Sequence, residues 1–341
     1  MGNGQGTESG ESHLIDSYGR TIDYLRLSIT DRCNLRCLYC MPPEGVQWIP
    51  HGEVLRFEEI LKICRILAGL GIKAVRVTGG EPLVRRGVVD LIRELKAESG
   101  IERVTITSNG VLLGEYIEAL AAAGLDAVNI SLDTVNEEKF RSLARGEGLD
   151  KIMSAIDRAL DLGMELKINC VPLAGINDDD IAALAGLAQS RNISVRFIEL
   201  MPLGAASAFT LLPADKVIAL MENTYGPMRR AEEQRSPYGK GPAEYYTLNG
   251  FTGLIGLISP MSRCFCGKCN RLRLSSSGIL KPCLSSDLSL DLRSRLRAHA
   301  SDGEIAETVR EFVMRKPAGH SFTGTAGTQN HDSREMFRIG G

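Results

Sequence analysis

Residues 24–40 have the sequence YLRLSITDRCNLRCLYC, in which a β-rich run passes directly into three closely spaced cysteines. The thiolates of Cys33, Cys37 and Cys40 can hold three irons of a cubane iron–sulfur cluster, which leaves the fourth iron without a protein ligand. An iron with an open position can bind a small molecule and act on it. Zinc is the alternative metal, but a structural zinc site takes four ligands, and this segment offers three with no histidine nearby.

β-rich runs alternate with amphipathic helical segments on the C-terminal side of this stretch, as far as Met201. The predicted strands are residues 24–29, 74–78, 104–107, 127–131, 165–171 and 195–199, and the predicted helices are residues 57–68, 87–98, 115–123, 150–162 and 178–189. Strands joined by helical crossovers form right-handed parallel units. The pattern therefore predicts an α/β fold, a partial (βα)6 TIM-like barrel with its chemistry at the C-terminal ends of the strands.

The pattern changes beyond Pro202, where a charged, Pro/Gly-rich stretch precedes two β-rich runs. Residues 245–248 and 254–258 alternate like a hairpin with Asn249-Gly250 at its turn. Two helices, residues 287–299 and 304–316, and a polar tail are expected after it. We predict a flexible leader over residues 1–17, a barrel over 18–225 and a C-terminal domain over 226–341.

Composition excludes several classes of protein. The chain has 341 residues, 43% of them apolar, and a formal charge of −2, which argues against a general nucleic-acid binder. No apolar stretch is long enough for a membrane span and the first residues lack a signal-peptide core, so a cytosolic location is expected. Nine cysteines in such a chain favour metal ligation over disulfides, whereas Cys64 and Cys170 are expected to be small buried hydrophobic residues.

A second cysteine group consists of Cys266, Cys269 and Cys283. It is again one ligand short of a closed site, and a structural zinc completed by Cys264 is the alternative. Arg271 and Arg273 lie between the second and third of these thiols. Two guanidinium groups that alternate along an extended segment point the same way and fit phosphate oxygens bidentately. This arrangement predicts a second open-iron cluster beside an anion site.

Two further segments end predicted strands. Glycines in Thr78-Gly-Gly-Glu-Pro82 let backbone groups approach a ligand closely, although a Gly-Gly pair alone also suits a strand-to-helix turn. Ser131 and Asp133 lie at the end of the fourth strand, where they could face a ligand or cap the next helix.

The Cys-x3-Cys-x2-Cys run, with an aromatic residue before its last cysteine, resembles the signature of the radical S-adenosyl-L-methionine (SAM) superfamily. Residues 24–283, together with Gly340-Gly341, resemble the GTP 3',8-cyclases of molybdenum cofactor biosynthesis. The motifs that carry this resemblance are Leu25-Arg26-Leu-Ser-Ile-Thr-Asp-Arg-Cys33, Arg76-Val-Thr-Gly-Gly-Glu-Pro82, Thr107-Ser-Asn-Gly110, Arg196-Phe-Ile-Glu-Leu-Met201 and Cys266-x2-Cys-Asn-Arg-Leu-Arg273.

The resemblance implies two 4Fe-4S clusters. The first, on Cys33, Cys37 and Cys40, would bind SAM and cleave it reductively, and the second, on the C-terminal cysteine group, would contact the guanine of GTP. The implied activity is that of a lyase that removes a hydrogen from C3' of the ribose and joins C3' to C8. GTP would become 3',8-cyclo-7,8-dihydro-GTP in the first step of molybdopterin biosynthesis.

Site residues carry over by position. The resemblance implies that Tyr39, Gly80, Ser131 and Met201 contact SAM, with Ser131 and Asp133 facing its ribose and carboxylate. It also implies that GTP is contacted by Arg26, Arg76, Thr107, Lys167, Arg271 and Arg273. It implies catalytic roles for Arg26, Arg271 and Arg273 and for Gly340 and Gly341, whose tail would reach the active site. Arg76 and Lys167 could instead be surface charges, and Met201 core filler. Charged residues in covered parallel strands nevertheless favour a buried anionic partner.

The resemblance also implies partners: an electron donor such as flavodoxin or ferredoxin and a downstream cyclic pyranopterin monophosphate synthase. No nucleic acid or membrane is expected as a partner, and the protein could form a homodimer. A radical SAM peptide-modifying enzyme with an auxiliary cluster is the main alternative, although such enzymes usually have more C-terminal cysteines. The other two alternative functions are a non-catalytic iron–sulfur protein and a zinc-stabilised binding module.

Overall fold

The computed structural model describes residues 13–97, 100–232 and 241–322. The strands are β1 Tyr24–Ser28, β2 Ala74–Thr78, β3 Arg103–Ser108, β4 Ala127–Ser131, β5 Glu165–Cys170, β6 Ser194–Ile198, β7 Arg229–Arg230, β8 Glu244–Thr247, β9 Leu254–Ile258, β10 Arg271–Leu274, β11 Ile279–Lys281 and β12 Leu290–Asp291. The α-helices are α1 Phe57–Gly69, α2 Val88–Ala97, α3 Leu113–Ala122, α4 Glu137–Ala144, α5 Leu149–Asp161, α6 Ile181–Gly186, α7 Ala214–Tyr225, α8 Leu292–Arg297 and α9 Asp302–Met314.

All of these strands belong to one sheet, whose centre is the predicted parallel barrel. β1 to β6 lie side by side in chain order and are parallel, as the alternation predicts. Two C-terminal strands extend the parallel part at both edges: β10 pairs with β1, and β9 pairs with β6. Among the described residues the parallel part therefore has eight strands rather than six, and the last two come from beyond residue 226.

Antiparallel strands complete both edges. The predicted hairpin is present as β8 and β9, and β7 pairs with β8. At the other edge β11 pairs with β10 and β12 with β11. The helix predicted over residues 287–299 is wrong at its start, because Leu290 and Asp291 pair with β11. The helix begins at Leu292, where the Asp291 carboxylate accepts a hydrogen bond from the Ser294 amide at 2.9 Å.

Other helices also differ from the prediction. The sequence does not predict α4 or α7, and α6 covers only part of the predicted segment 178–189, after a turn of 3₁₀ helix. Only Phe140, Leu143 and Ala144 of α4 are buried, so its apolar face is narrow and its sequence pattern weak.

Alternation along the parallel strands separates the core from the barrel interior. In β1, Leu25 and Leu27 are fully buried in the large apolar core, to which helix α1 also contributes, whereas Arg26 lines the interior cavity. Cys64 and Cys170 are fully buried in the same core, as predicted.

Leu14 and Asp16 are buried although they fall in the predicted leader, so residues 13–17 are packed on the fold rather than loose. The remainder of that leader lies outside the described residues, and the boundary at 225/226 stays a prediction. None of the helices in the described ranges has the length and apolar character that crossing a bilayer requires.

Candidate functional site

A cavity of about 550 Å³ lies inside the barrel and is lined by inward-facing residues of all eight parallel strands. Sixteen of the predicted site residues line it: Arg26, Cys33, Cys37, Tyr39, Cys40, Arg76, Gly80, Thr107, Ser131, Lys167, Met201, Cys266, Cys269, Arg271, Arg273 and Cys283. Gly340 and Gly341 lie outside the described residues. The fold therefore gathers residues that are spread over 258 positions of the chain around one space.

The two cysteine groups lie at opposite ends of this cavity. Cys33, Cys37 and Cys40 follow β1 and so lie at the C-terminal ends of the parallel strands. Cys266 and Cys269 precede β10, which is parallel to β1, and thus lie at the N-terminal ends. β11 is antiparallel to β10 and returns Cys283 to that same end. The two ends are separated by the length of the strands: β1 has five residues and spans about 16 Å at roughly 3.3 Å per residue. The expectation that all the chemistry lies at the C-terminal ends is therefore wrong for the second group.

The Gly79-Gly80 loop packs directly on the backbone that leads into the first cysteine group. The Gly80 amide donates to the Thr30 carbonyl and the Glu81 amide to the Arg32 carbonyl, both at 2.7 Å. A Cβ at Gly80 would lie 2.3 Å from the Arg32 carbonyl oxygen, and one at Gly79 would lie 2.6 Å from that of Thr30. The two glycines do allow a close approach of backbone, as predicted. Among the described residues, however, the group that approaches them is the backbone leading to Cys33.

The first cysteine group fits an iron–sulfur cluster. The Leu35 amide and the Asn109 side-chain amide donate to the Cys33 sulfur at 3.4 and 3.7 Å, and such hydrogen bonds tune cluster potentials. Burial raises the pKa of the Cys33 thiol, and burial together with the charge of Cys40 raises the pKa of Cys37 well above its ordinary value. Thiols whose charged form is disfavoured in this way need a positive partner to become thiolates, and a metal cluster supplies one.

Glu81 joins the glycine loop to the loop after β3. Its carboxylate accepts from the Leu83 amide at 3.0 Å, the Ser108 hydroxyl at 2.9 Å and the Asn109 amide at 2.6 Å. Burial raises the pKa of Glu81 to about 7, although these hydrogen bonds act to lower it. Sequence reasoning missed Glu81 and Asn109 as supports of the site, although both lie within quoted motifs.

Tyr39 and Asp133 form a buried pair beside the first group. The Asp133 carboxylate accepts hydrogen bonds from the Tyr39 hydroxyl at 2.6 Å and from the Val171 amide at 2.8 Å. Burial raises the pKa of Asp133 to about 6. Helix α4 is capped by Asn136, so the capping interpretation of Ser131 and Asp133 is wrong. Ser131 lines the cavity, whereas the Asp133 carboxylate is engaged by its protein partners.

Strand register places three arginines side by side in the middle of the cavity. In the strand register Arg26 of β1 is directly opposite Arg273 of β10 on one side and Arg76 of β2 on the other. Burial and the charges of Arg273 and Arg76 lower the pKa of Arg26 well below its ordinary value. Burial and the charge of Arg271 lower the pKa of Arg273 to about 10. The row therefore creates a strong demand for an anion.

Lys167 and Arg196 extend this positive region towards β5 and β6. Lys167 contacts Glu165 at 2.7 Å, but burial, reinforced by the charge of Arg196, lowers the Lys167 pKa to about 8. The Arg196 guanidinium donates to Asn129 at 2.6 Å and to Asn169 at 2.8 Å, which fixes its orientation. Sequence reasoning missed Arg196, although it is a charged residue in a covered parallel strand, as Lys167 is.

Charge in the cavity differs from that of the whole chain. The described lining contains eight basic residues, Arg26, Lys73, Arg76, Arg103, Lys167, Arg196, Arg271 and Arg273, and two acidic ones, Asp23 and Glu199. In the part of the chain that the structure describes, the buried hydroxyls of Tyr24 and Thr107 have no hydrogen-bond partner. The cavity thus offers both charge and uncommitted hydroxyls to a polyanionic ligand.

The second cysteine group lies in a basic environment. Burial alone would raise the pKa of Cys269, but the charges of Arg271 and Lys316 and hydrogen bonds from Arg271 outweigh it and lower the pKa to about 7. A thiolate is therefore accessible there near neutral pH, which suits metal ligation. The ligand atoms of Cys264, Cys266 and His320 lie within 4.8 Å of one another. Histidine at this position was not predicted.

Comparison with known proteins agrees with these features. A family model described as the radical SAM superfamily matches residues 27–188, and one described as Molybdenum Cofactor Synthesis C matches residues 193–322. A GTP 3',8-cyclase of Pelotomaculum thermopropionicum is 44% identical over 332 residues, which cover 96% of this chain and 100% of the relative. The chain belongs to the GTP 3',8-cyclase family.

Another GTP 3',8-cyclase, from Heliobacterium modesticaldum, is 45% identical over 308 residues, covering 90% of this chain and 94% of that protein. Membership of the GTP 3',8-cyclase family, within the radical SAM superfamily, implies a 4Fe-4S cluster and SAM. Streptococcus suis SuiB in a crystal structure bound to SAM has the same fold, with a TM-score of 0.60 at 16% identity over 89% of this chain and 74% of SuiB.

Proposed function

We propose that the protein is a radical SAM lyase that converts GTP to 3',8-cyclo-7,8-dihydro-GTP, the first step of molybdopterin biosynthesis. One observation carries this proposal: a single cavity has a cysteine group at each end and a row of buried cations between them. GTP carries a polyanionic triphosphate and a base that contains ring nitrogens, so it can use both the cations and a metal at the far end.

Residues of the C-terminal end would hold the cofactor. Cys33, Cys37 and Cys40 would ligate the 4Fe-4S cluster, which with SAM supplies a carbon-centred radical able to abstract a hydrogen atom. Tyr39, Gly80, Ser131 and Met201 would contact SAM, all of them from the cavity wall. The Asp133 hydrogen bond would fix the Tyr39 ring, and the enclosing strands would exclude water from the reacting atoms.

The cation row would orient the substrate. Arg26, Arg76 and Arg273 would contact the triphosphate from adjacent strands, and Arg271, Lys167 and Thr107 would contact GTP from the flanking wall. We add Arg196 to this set because its guanidinium is buried in the same wall. Holding the triphosphate at several points would keep C3' of the ribose facing the cofactor end, and this positioning is the main contribution of the side chains.

The N-terminal end would hold the base. Cys266, Cys269 and Cys283 would ligate a second 4Fe-4S cluster whose open position contacts guanine, and the Cys269 pKa of about 7 favours this ligation. Arg271 begins β10 at this end, Arg26 and Arg273 follow towards the middle of the cavity, and all three would act catalytically by contact with the substrate. Gly340 and Gly341 would reach the same cavity, and their deletion should remove product while leaving iron content, SAM binding and GTP binding intact.

Several wider features are part of the proposal. They include a cytosolic location, an electron donor such as flavodoxin or ferredoxin, a downstream cyclic pyranopterin monophosphate synthase and a homodimer. The division into a barrel over 18–225 and a C-terminal domain over 226–341 is also retained, although strands of both segments pair in one sheet.

The deciding experiment is anaerobic reconstitution with iron and sulfide, followed by incubation with SAM, a reductant and GTP. We expect on the order of eight irons per chain and formation of both 5'-deoxyadenosine and the cyclised nucleotide. Guanosine in place of GTP serves as the substrate control, since it lacks the triphosphate. SAM cleavage with no nucleotide product would favour a peptide-modifying enzyme, and absence of SAM cleavage would favour a non-catalytic iron–sulfur protein.

A further inference from the structure

The segment that carries His320 is fixed against the loop of Cys266 by Arg20. The Arg20 guanidinium donates to the Cys266 carbonyl at 2.8 Å, to the Ala318 carbonyl at 2.9 Å and to the Pro317 carbonyl at 2.7 Å. Asp16 holds the other edge of this guanidinium at 2.6 Å. The chain therefore builds a rigid connection between two segments that are more than fifty residues apart in sequence.

His320 has the arrangement that is typical of a metal-ligating histidine. Its Nε2 atom lies 2.9 Å from the Pro260 carbonyl oxygen, and its Nδ1 atom is buried without a hydrogen-bond partner. Because a carbonyl can only accept, Nε2 carries the proton and Nδ1 holds a free lone pair. Metal-bound histidines commonly donate their second nitrogen to a backbone carbonyl in this way, which fixes the tautomer and the ring orientation.

Two thiols lie beside the imidazole ring of His320. The ligand atoms of Cys264, Cys266 and His320 are all within 4.8 Å of one another, which is close enough for one ion. The backbone amide of His320 also donates to the Cys266 thiol, so the two segments are in direct contact. Cys264 is exposed and leaves a path for an ion to enter.

We propose that Cys264, Cys266 and His320 form a mononuclear site for Zn²⁺ or a similar thiophilic divalent cation, with water in the fourth position. Two sulfurs and one imidazole nitrogen are a donor set that zinc favours, and three protein ligands plus water are a common zinc arrangement. The site does not depend on the proposed activity. One consequence does rest on it: Cys266 would belong to both sites, so zinc and the second cluster would exclude each other.

The test uses the full-length chain with Cys33→Ala, Cys37→Ala and Cys40→Ala, so that the first cysteine group cannot bind metal. Zn²⁺ alone is titrated anaerobically against a chromophoric chelator, and circular dichroism checks the fold of each variant. We expect one equivalent to bind, with Cys264→Ser and His320→Gln each weakening the affinity at least tenfold. Cys269→Ser and Cys283→Ser are the matched controls and should change it less than twofold.

Co²⁺ gives a second measurement on the same chain that lacks the first cysteine group. Its sulfur-to-metal charge-transfer band should lose intensity in Cys264→Ser, and its ligand-field bands should shift in His320→Gln. A four-cysteine zinc site would instead be weakened by Cys269→Ser and Cys283→Ser and insensitive to His320→Gln, and that result would overturn the proposal. Failure of the triple variant to bind one equivalent while folded would overturn it as well. None of these measurements requires SAM cleavage or GTP turnover.

Discussion

The two cysteine groups have similar thiol counts but differ in the charges that the fold places beside them. At the C-terminal end, burial raises the pKa values of Cys33 and Cys37, with the neighbouring charges of Glu81 and Cys40 adding to it. At the N-terminal end, Arg271 and Lys316 bring the pKa of Cys269 down to about 7, whereas burial and the neighbouring Cys264 raise the pKa of Cys266 to about 11. Spacing of cysteines along the sequence gives no indication of this difference, which arises from what each end of the barrel places beside the sulfurs.

The difference indicates that the two ends of the cavity have separate roles. A group whose thiols are governed mainly by burial suits a cluster that works with an enclosed cofactor, because water is excluded there. A group beside arginines suits a cluster next to an anionic substrate, because the same cations serve thiolates and phosphates. Variants that affect one end and spare the other test this division.

The largest expected effect comes from removing one ligand at each end in turn. Cys37→Ala should abolish SAM cleavage while the second group keeps its irons, since the first cluster would lose one of its three protein ligands. Cys269→Ala should abolish nucleotide product yet retain SAM cleavage. 5'-Deoxyadenosine and iron are measured for both variants, and full SAM cleavage by Cys37→Ala would contradict the assignment of the ends.

Gly80→Ala should also damage the C-terminal end alone. The added Cβ would lie 2.3 Å from the Arg32 carbonyl oxygen, which is backbone and cannot rotate away, so the Cys33 loop must shift. We expect loss of about half of the iron with a retained fold. Gly52→Ala is the matched control because a Cβ there meets nothing within 4 Å. Normal iron content in Gly80→Ala would show that the loop tolerates the shift.

Arg273→Lys probes the anion site between the two ends. Lysine keeps the charge but loses the planar fork, so GTP affinity should fall by roughly 1–3 kcal/mol. Calorimetric titration of GTP and guanosine measures the effect, with the exposed Arg295 replaced by lysine as the control. The loss should be confined to GTP. Equal affinity of the unaltered protein for GTP and guanosine would rule out a triphosphate clamp.

The smallest expected effect is a pH dependence of GTP binding. Lys167 has a pKa of about 8 in the unliganded cavity, so above that pH it is neutral and must take up a proton to pair with phosphate. A phosphate with a second pKa near 6 does not change charge in this range. Affinity should therefore fall about eightfold from about pH 7.5 to 9, and Lys167→Arg should remove this dependence. Proton uptake, from titrations in two buffers, is the direct measurement.

Part of this arrangement follows from local patterns and part does not. The consecutive strands β1 to β6 were predictable because each alternates with an amphipathic helix. The parallel pairings of β10 with β1 and of β9 with β6 were not, because long-range pairing leaves little trace in a short segment. Residues Arg196, Glu81 and Asn109 were missed because their roles depend on neighbours that are distant in sequence.

The sequence by itself determined the two cysteine groups, the central βα alternation and the basic residues within covered strands, since these depend on residue type and local spacing. Only the tertiary structure decided that the groups lie at opposite ends of one cavity and that Arg273, Arg26 and Arg76 form a row. It also brought His320 to Cys264 and Cys266. The physical reason is that strand direction and register are set by packing of the whole sheet, and they determine which side chains become neighbours.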